Sequence, residues 1–308
     1  MISPAFAGLF SLNLCPSKTK VVRLSFLLVL SILTLNSVAQ DRTVRLMTYN
    51  ILNYRNTTSY CTSSNNSSSN KEGHLETIIS EIEPHVLVMN EIGSNPNNLT
   101  YLLNNAFNTG SATNWAMANH VHNGFSSLVN GVAYRSDILG ITNQWAITKD
   151  ADNNSLVRAI DIVRFYYKDA LLQGNSDTAT FVVIGAHFKA GNSSSDAAQR
   201  NQAATAIVDW IDARNFENVF LLGDLNTYSS NESSFQSLIG GNTFRFEDPI
   251  TSNGNWHNNS NFASIHTQST RTSGNCHSGG GLDDRFDHIL CSEEVIEGDA
   301  QITYAPNS

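Results

Sequence analysis

The sequence is poor in charged residues, and above all in basic ones. Only 15% of its 308 residues are charged, and 18 Lys and Arg stand against 27 Asp and Glu, for a formal net charge of −9. A protein that holds nucleic acid by its own lysines and arginines carries a basic surface instead. The composition excludes that class, so an anionic ligand would have to be attracted mainly by bound cations.

Cysteine is also scarce, with four residues in the chain. Cys15 lies near the N-terminus, before the region that we expect to fold. Cys61 and Cys276 lie in polar loops and could pair, although spacing alone does not establish a disulfide. Cys291 follows two apolar residues and is typical of a buried strand position. Neither the cysteines nor the histidines have the spacing of a zinc site.

One longer apolar run occurs, near the N-terminus. Lys18, Lys20 and Arg23 precede apolar residues 24–35, a run too short to span a bilayer comfortably. Small residues follow at 37–39, as at a signal-peptidase site. We expect residues 1–39 to be a signal peptide, with a membrane anchor as the alternative. Because this segment carries three positive charges and no acid, the mature chain would have a net charge of −12 instead of −9.

The remaining residues, 40–308, have the pattern of one α/β domain. We expect this domain to be exported to the periplasm or the medium and to contain no transmembrane segment. Helical spacing predicts helices over residues 72–83 and 197–213, the second capped by Ser194 or Ser195, and a short one over 233–239. A turn at residues 174–177 joins two strands as a hairpin, so the sheets are expected to be mixed. The predicted strands cover residues 42–50, 86–89, 131–134, 157–167, 180–187, 219–222 and 286–291. This order fits two sheets with helices outside.

Polar residues end several of these strands, and active sites of layered α/β domains collect at strand ends. Glu91 is the first candidate for a metal ligand, since Mg²⁺ binds one or two carboxylates and keeps several waters. Asp224 could orient an attacking water, and His187 could donate a hydrogen bond to a phosphate. Asn50 and Asn226 could coordinate the metal or hydrogen-bond a phosphate oxygen.

Each of these residues also has a structural explanation when it is taken alone. Asp and Asn are frequent turn residues, so a Gly-Asp-x-Asn segment after a strand could be a plain turn. This would explain Asp224 and Asn226 without a function. Asn50 could be a turn residue, His187 a satisfied core histidine and Tyr134 a core tyrosine. Their joint occurrence in one order favours a site.

The ordered set resembles the endonuclease/exonuclease/phosphatase family, which includes deoxyribonuclease I, exonuclease III, bacterial sphingomyelinases and inositol-polyphosphate 5-phosphatases. The resemblance covers about residues 43–292. The matching segments are Met47-Thr48-Tyr49-Asn50, Val88-Met89-Asn90-Glu91, Gly131-Val132-Ala133-Tyr134-Arg135, Ala186-His187-Phe188-Lys189-Ala190, Gly223-Asp224-Leu225-Asn226 and Phe286-Asp287-His288-Ile289-Leu290.

The resemblance implies a four-layer α/β sandwich and assigns roles to the site residues. Metal contacts would come from Glu91, Asn50 and Asp287, with Mg²⁺ as the expected ion and Mn²⁺ or Ca²⁺ as alternatives. Catalysis would involve His187, Asp224, Asn226 and Asp287. The substrate phosphate would contact Asn50, Tyr134, Arg158 and Asn226.

One departure from the family pattern concerns its closing Ser-Asp-His segment, whose aspartate and histidine activate water. Asp287-His288 is the only candidate here, but Ile289-Leu290-Cys291-Ser292 after it match an earlier family strand. We therefore expect the natural gene to continue beyond Ser308 and to supply the missing C-terminal strand.

The leading hypothesis is metal-dependent hydrolysis of phosphodiester bonds by an exported monomer that acts on nucleic acid and has no stable protein partner. A sphingomyelinase-like or small-molecule phosphodiesterase is the first alternative. A catalytically dead binding module is the second.

Overall fold

A computed structural model describes residues 8–14, 42–109, 114–168, 178–241, 244–274, 276, 279–299 and 301–306. The strands are β1 (Gly8–Leu14), β2 (Arg42–Tyr54), β3 (Val86–Gly93), β4 (Trp115–Met117), β5 (Leu128–Arg135), β6 (Leu139–Lys149), β7 (Ser155–Tyr167), β8 (Thr180–His187), β9 (Val219–Asp224), β10 (Phe246–Glu247), β11 (Asp287–Ser292) and β12 (Ile302–Tyr304). The α-helices are α1 (Ser68–Ile82), α2 (Asn97–Leu102), α3 (Ser194–Asp212), α4 (Ser233–Ile239) and α5 (Glu293–Glu297), with a π-helical turn at Leu103–Phe107 and a 3₁₀ turn at Ser260–Ile265.

The strands form two six-stranded sheets, which pack face to face. The first has the order β12-β1-β2-β3-β5-β4, and the second has the order β10-β11-β9-β8-β7-β6. The pairs β2–β3 and β8–β9 are parallel, and the other pairs are antiparallel. Both sheets are therefore mixed, as the hairpin pattern predicts.

Three apolar clusters divide the domain into four layers. Alternate residues of β2, β3 and β5 meet those of β7, β8 and β9 between the sheets, with Val88 and Val183 among them. The outer face of the first sheet packs on α1 through Leu75 and Ile79. The outer face of the second packs on α3 and α4 through Ile207 and Leu238. The predicted α/β sandwich, with helices outside two mixed sheets, is confirmed.

Element boundaries differ from the sequence expectations where polar residues interrupt the patterns. β6 was not predicted, because the exposed residues 142–144 break its alternation. Helix α3 is capped by Ser193, whose side chain and Asp196 form a reciprocal capping box. The cap therefore lies one residue before Ser194 and two before Ser195, and the expected caps are wrong. β7 and β8 are antiparallel as predicted, and their turn at residues 174–177 lies outside the described residues.

Strand β1 belongs to the segment that we expect to be a signal peptide. It pairs antiparallel with β2, and its other edge pairs with β12. The basic and apolar parts of the predicted signal, residues 18–39, lie outside the described residues. No helix in the described part of the chain has the length and apolar run needed to cross a bilayer.

A disulfide joins Cys61 to Cys276 across a sequence separation of 215 residues. Cys61 lies in the loop after β2, and Cys276 lies in the long loop before β11, so the bond ties together two loops of opposite sheets. Cys291 is a buried free thiol in β11, as its apolar context indicates.

Two buried amides join the sheets near the carboxyl ends of β3 and β8. The Nδ2 atom of Asn90 donates to the Ala186 carbonyl of the second sheet at 3.1 Å and to Asn130 Oδ1 at 2.9 Å. In return, the Asp224 backbone N–H donates to Asn90 Oδ1 at 3.0 Å. The Nδ2 atom of Asn130 donates to the Ala159 carbonyl at 3.0 Å. An amide left unpaired here would cost about 1–3 kcal/mol, so this bridge holds the sheets in one position.

A buried carboxyl lies beside this bridge. Asp161 accepts the Val121 backbone N–H at 3.0 Å through Oδ1, whereas its Oδ2 is buried without a hydrogen-bond partner. Burial raises the pKa of Asp161 to about 7, against the hydrogen bond from Val121 that lowers it. The folded protein therefore favours the neutral acid.

Reduction of the disulfide is expected to destabilise the protein by about 5 kcal/mol, because a closed loop of this length restricts the unfolded chain strongly. Urea unfolding with and without a thiol reductant measures the difference. The double variant Cys61→Ser/Cys276→Ser should show the lower stability in both conditions. A reductant effect that persists in this variant would assign the loss to another thiol.

Replacement of Asp161 by Asn should flatten the pH dependence of stability. Between the unfolded pKa near 3.8 and the folded pKa of about 7, the native state holds a proton that the unfolded state releases. Stability conferred by this group is thus complete at low pH and falls as pH rises, by up to about 1.4 kcal/mol per unit. Urea midpoints from pH 4 to 8 for wild type and Asp161→Asn test this. Equal slopes would contradict it.

Candidate active site

The carboxyl ends of four strands and the start of β11 meet at one edge of the sandwich. His187, at the end of β8, pairs in register with Asp224 at the end of β9. Asp224 also pairs with Asp287, the first residue of β11. From the other sheet, Asn50 of β2 lies opposite Asn90 of β3, one residue before Glu91. Residues more than 200 positions apart in sequence therefore share one site.

Three ligand-bearing side chains form the centre of this site. Glu91, His187 and Asp224 each offer one atom, and these atoms lie within 4.8 Å of one another. Asn50 joins the two acids, because its Nδ2 donates to Glu91 Oε1 at 3.0 Å and to Asp224 Oδ2 at 2.9 Å. His187 Nε2 lies 3.9 Å from Asp224 Oδ2. This group could hold a metal ion.

Left-handed backbone conformations present Glu91 and Asn226, another residue expected at the site. Glu91 has φ 63° at a bulge in β3, and Asn226 has φ 50° just after β9. Leu52 and Asn53 have φ 42° and 50°, and the Asn53 N–H donates to Glu91 Oε2 at 3.0 Å. The ammonium group of Lys71 donates to the Ile51 carbonyl at 2.7 Å and supports this bend. Such conformations cost free energy in non-glycine residues and cluster at functional sites.

Glycine is required at position 223. Its φ is 148°, and a Cβ there would lie 1.8 Å from the Ala186 carbonyl oxygen. That carbonyl is also the acceptor of the Asn90 amide. Gly223 thus lets β9 approach β8 closely enough for Asp224 to face His187.

Burial sets the charge state of the site. It raises the pKa of Asp224, and the nearby Glu91 carboxylate raises it further, although the Asn50 amide opposes both. Burial and the Asp224 carboxylate also raise the pKa of Asp287 well above its ordinary value. Burial, followed by the Arg158 charge, lowers the pKa of His187 well below its ordinary value, so this imidazole is neutral. Three carboxyl groups therefore gather with little positive charge between them.

One unsatisfied atom tests whether a cation fits here. Asp287 Oδ1 is buried and has no hydrogen-bond partner. Buried polar atoms normally find a partner, and converging carboxylates repel one another unless a cation or a proton neutralises them. The carboxylate oxygens of Glu91 and Asp224 suit a hard divalent ion. Asn50 turns its Nδ2 toward these acids, and its Oδ1 accepts the Leu52 N–H at 2.8 Å. The residues present therefore fit a divalent cation.

Arg158 lies at the wall of the site, where its positive charge interacts with Glu91 and Asp224. Its Nη1 donates to the Phe188 carbonyl at 2.9 Å, whereas its Nε is buried without a partner. Asn226 donates from Nδ2 to the same carbonyl at 3.3 Å, and its backbone N–H donates to Asp224 Oδ1 at 3.1 Å. Arg158 and Asn226 thus flank Phe188 beside the carboxyl cluster.

The structure brings together all but one of the residues expected at the site. Tyr134 is the exception. It pairs with Val86, at the start of β3, and its ring packs 5.2 Å from that of Phe165. Because β5 runs antiparallel to β3, its C-terminal residues lie at the opposite edge of the sheet from Glu91, about 16 Å away at a strand rise of ~3.3 Å per residue. Tyr134 is therefore not part of the site.

Residues that support the site were not identified from the sequence. Asn90 bridges the sheets, Lys71 holds the bend after β2, and Thr267 Oγ1 accepts the Asp287 N–H at 2.9 Å. The only sequence signal for Asn90 is an amide at the end of an apolar strand. Lys71 and Thr267 act through contacts distant in sequence, which local patterns do not reveal.

A four-layer α/β sandwich with an acidic, metal-compatible site at its strand ends defines a class of phosphoester hydrolases. The profile of the Endonuclease/Exonuclease/phosphatase family matches residues 47–308, and the chain belongs to this family. It is thus a hydrolase that acts on phosphoester bonds. No curated protein matches it in sequence.

Solved structures share the fold at low sequence identity. A Bacteroides vulgatus endonuclease/exonuclease/phosphatase is 16% identical, with a TM-score of 0.54 over 82% of this chain and 87% of that one. The human nocturnin catalytic domain with bound sulfate is 11% identical, with a TM-score of 0.53 over 82% and 83%. A Bacteroides thetaiotaomicron mannosyl-6-phosphatase is 12% identical, with a TM-score of 0.51 over 81% and 85%.

Proposed function

We propose that this protein is a divalent-cation-dependent phosphodiesterase whose substrate is nucleic acid. The observation that carries the proposal is the convergence of Glu91, His187 and Asp224 within 4.8 Å, bridged by Asn50. A module that only binds would have no need to gather these groups at a cost in backbone strain and buried charge. Their convergence therefore favours an active site over a catalytically dead module.

Glu91 and Asp224 would hold the ion, and Asp287 would face it from β11. Asn50 would add its amide oxygen once its side chain turned over, because its Nδ2 now donates to both acids. Mg²⁺ is the ion that suits these oxygen donors, with Mn²⁺ or Ca²⁺ as alternatives. When bound, such an ion polarises a phosphoryl oxygen and neutralises the charge that develops on it.

The remaining side chains would position the phosphate and water. Arg158 has an unpartnered buried Nε that can bind a phosphate oxygen, and Asn226 lies beside it. His187 is neutral, so it can donate one hydrogen bond to the phosphate without repelling the cation. Asp224, whose Oδ1 accepts the Asn226 N–H at 3.1 Å beside the phosphate position, would orient the attacking water.

Nucleic acid is favoured over a lipid substrate by the surface of the described residues. Tyr60 and Phe125 are their most exposed large hydrophobic side chains, at 61% and 71%. They lie on separate loops that meet where Asn56 Nδ2 donates to Ser127 Oγ at 3.4 Å. Exposed aromatic rings can stack on bases, whereas attachment to a bilayer requires a larger apolar area.

Purified full-length protein is expected to nick supercoiled plasmid DNA in Mg²⁺ and to lose this activity in excess chelator. Glu91→Ala should lower the rate at least ~100-fold, because the cation loses a ligand. Agarose gels over time measure the nicked fraction. Sphingomyelin vesicles assayed in parallel test the lipid alternative.

Glu81→Ala provides the matched control, since Glu81 lies on the exposed face of α1, and its rate should equal wild type. Nicking that resists both chelator and Glu91→Ala would reject the cation site. Hydrolysis of sphingomyelin without any nicking would replace nucleic acid by a lipid substrate.

We also propose that the protein is exported, with residues 1–39 removed as a signal peptide and residues 40–308 forming the mature domain. The disulfide between Cys61 and Cys276 supports this, because such bonds persist in oxidising compartments. Because β1 lies inside the removed segment, cleavage would open the edge of β2 that β1 covers.

Expression of the whole chain in a bacterium should yield a periplasmic or secreted product that begins at Gln40. Intact mass and N-terminal sequencing of the fractionated protein measure this start. Replacement of Lys18, Lys20 and Arg23 by Gln should reduce export, because the signal would lose its basic region. A product that begins at Met1 in the cytoplasm would contradict the proposal.

A further inference from the structure

A second pair of ionisable side chains lies beside the candidate active site and has no part in the cation cluster. His257 Nδ1 lies 2.9 Å from Asp284 Oδ1 and 3.1 Å from its Oδ2. The Asp284 side chain is 5% exposed, whereas that of His257 is 40% exposed. A buried carboxylate therefore orients an imidazole that reaches solvent.

Backbone contacts place this pair next to the site. The His257 N–H donates to the carbonyl of Tyr228, two residues after Asn226. Asp284 precedes Asp287 by three residues, and Thr267 binds both segments through its N–H to the Asp284 carbonyl and its Oγ1 to the Asp287 N–H. The pair thus connects the loop that leaves β9 to the loop that enters β11.

One aromatic ring packs against the imidazole, and a second ring packs against the first. The ring of Tyr228 meets His257 at 4.9 Å and Phe286 at 5.4 Å, both nearly perpendicular. All three rings are partly exposed. The Phe286 carbonyl accepts the Leu225 N–H at 2.8 Å, which joins this aromatic group directly to the Asp224–Asn226 turn. Such rings offer flat apolar contact with one polar edge.

The hydrogen bond to Asp284 leaves one atom of the imidazole for an external partner. With Nδ1–H donated to the carboxylate, Nε2 is the remaining polar atom of the ring. Its neighbour within the protein is Asn258 Nδ2 at 3.4 Å, which is a long contact. A hydroxyl of a bound molecule would complete the pairing of Nε2.

We propose that Tyr228, His257 and Phe286 form a subsite for the sugar esterified to the scissile phosphate, and that His257 Nε2 hydrogen-bonds a sugar hydroxyl or ring oxygen. Asp284 is a positioning residue for His257. The subsite rests on the proposed function, because it takes the phosphate to lie beside Asn226 and next to the cation that Asp287 would face. It adds a determinant of specificity on the β9–β11 side of the site.

Two chromogenic phosphodiesters test the subsite, thymidine 5′-(4-nitrophenyl phosphate) and bis(4-nitrophenyl) phosphate. They share the leaving group, and only the first contains a sugar. In Mg²⁺, His257→Ala should raise the KM for the thymidine ester about tenfold, the effect of one lost hydrogen bond. Its KM and kcat for the sugar-free ester should stay within about twofold of wild type.

Two further variants separate orientation from contact. Asp284→Ala should reproduce the selective rise in KM, because the imidazole loses its orientation, and His257→Gln should recover part of the binding. His74→Ala is the matched control on the exposed face of α1 and should change neither substrate. Equal losses on both esters, or no loss on either, would overturn the subsite.

Binding of thymidine 5′-monophosphate, measured by calorimetry in Mg²⁺, separates the subsite from the proposed function. A wild type that hydrolyses neither ester but binds this nucleotide more tightly than His257→Ala would overturn the phosphodiesterase proposal and support the subsite. Equal affinity of the two proteins would overturn the subsite, whatever the activity.

Discussion

Two buried amides, Asn90 and Asn130, are the contact on which the rest of the structure depends. They pair carbonyl and N–H groups of β7, β8 and β9 with the strands of the opposite sheet, and the Asp224 backbone is one of their partners. Glu91 comes from one sheet, and His187 and Asp224 come from the other. Their ligand atoms meet only while the sheets keep this relative position. Apolar packing brings the sheets together without direction, and the amides select one register because each unmade hydrogen bond is costly.

This relative position of the two sheets brings several carboxyl groups together in a buried part of the protein. Asp224 and Asp287 face one another across β9 and β11, Glu91 lies nearby in a left-handed conformation, and burial raises the pKa of both aspartates. Folding must therefore overcome repulsion and backbone strain at this edge. A divalent cation would relieve this repulsion. Binding of the cation would therefore stabilise the folded site. An acidic protein can thereby attract phosphate through its ion, although its own surface repels it.

Local patterns predicted most of the strands, because buried strands appear as apolar runs between turn residues. They also predicted that polar residues at several strand ends would meet, and the family resemblance assigned roles to them. β6 escaped prediction because its polar middle breaks alternation. Tyr134 was placed with the phosphate, but antiparallel pairing carries it to the far end of β5. The pairing of Cys61 with Cys276 stayed open, since two cysteines so distant in sequence are brought together only by the folded chain.

The sequence by itself determined the chemistry available to this protein: few basic residues, buried strands, and carboxylate, amide and imidazole groups at their ends. The spacing of apolar residues and the positions of turn residues are local properties of the chain, so the sequence shows them without knowledge of the fold. Only the tertiary structure decided which of those groups meet. It united Asn50, Glu91, His187, Asp224 and Asp287, left Tyr134 apart, and set His257 on Asp284 beside them. Such distances depend on strand order, sheet packing and loop contacts, none of which is encoded by neighbours along the chain.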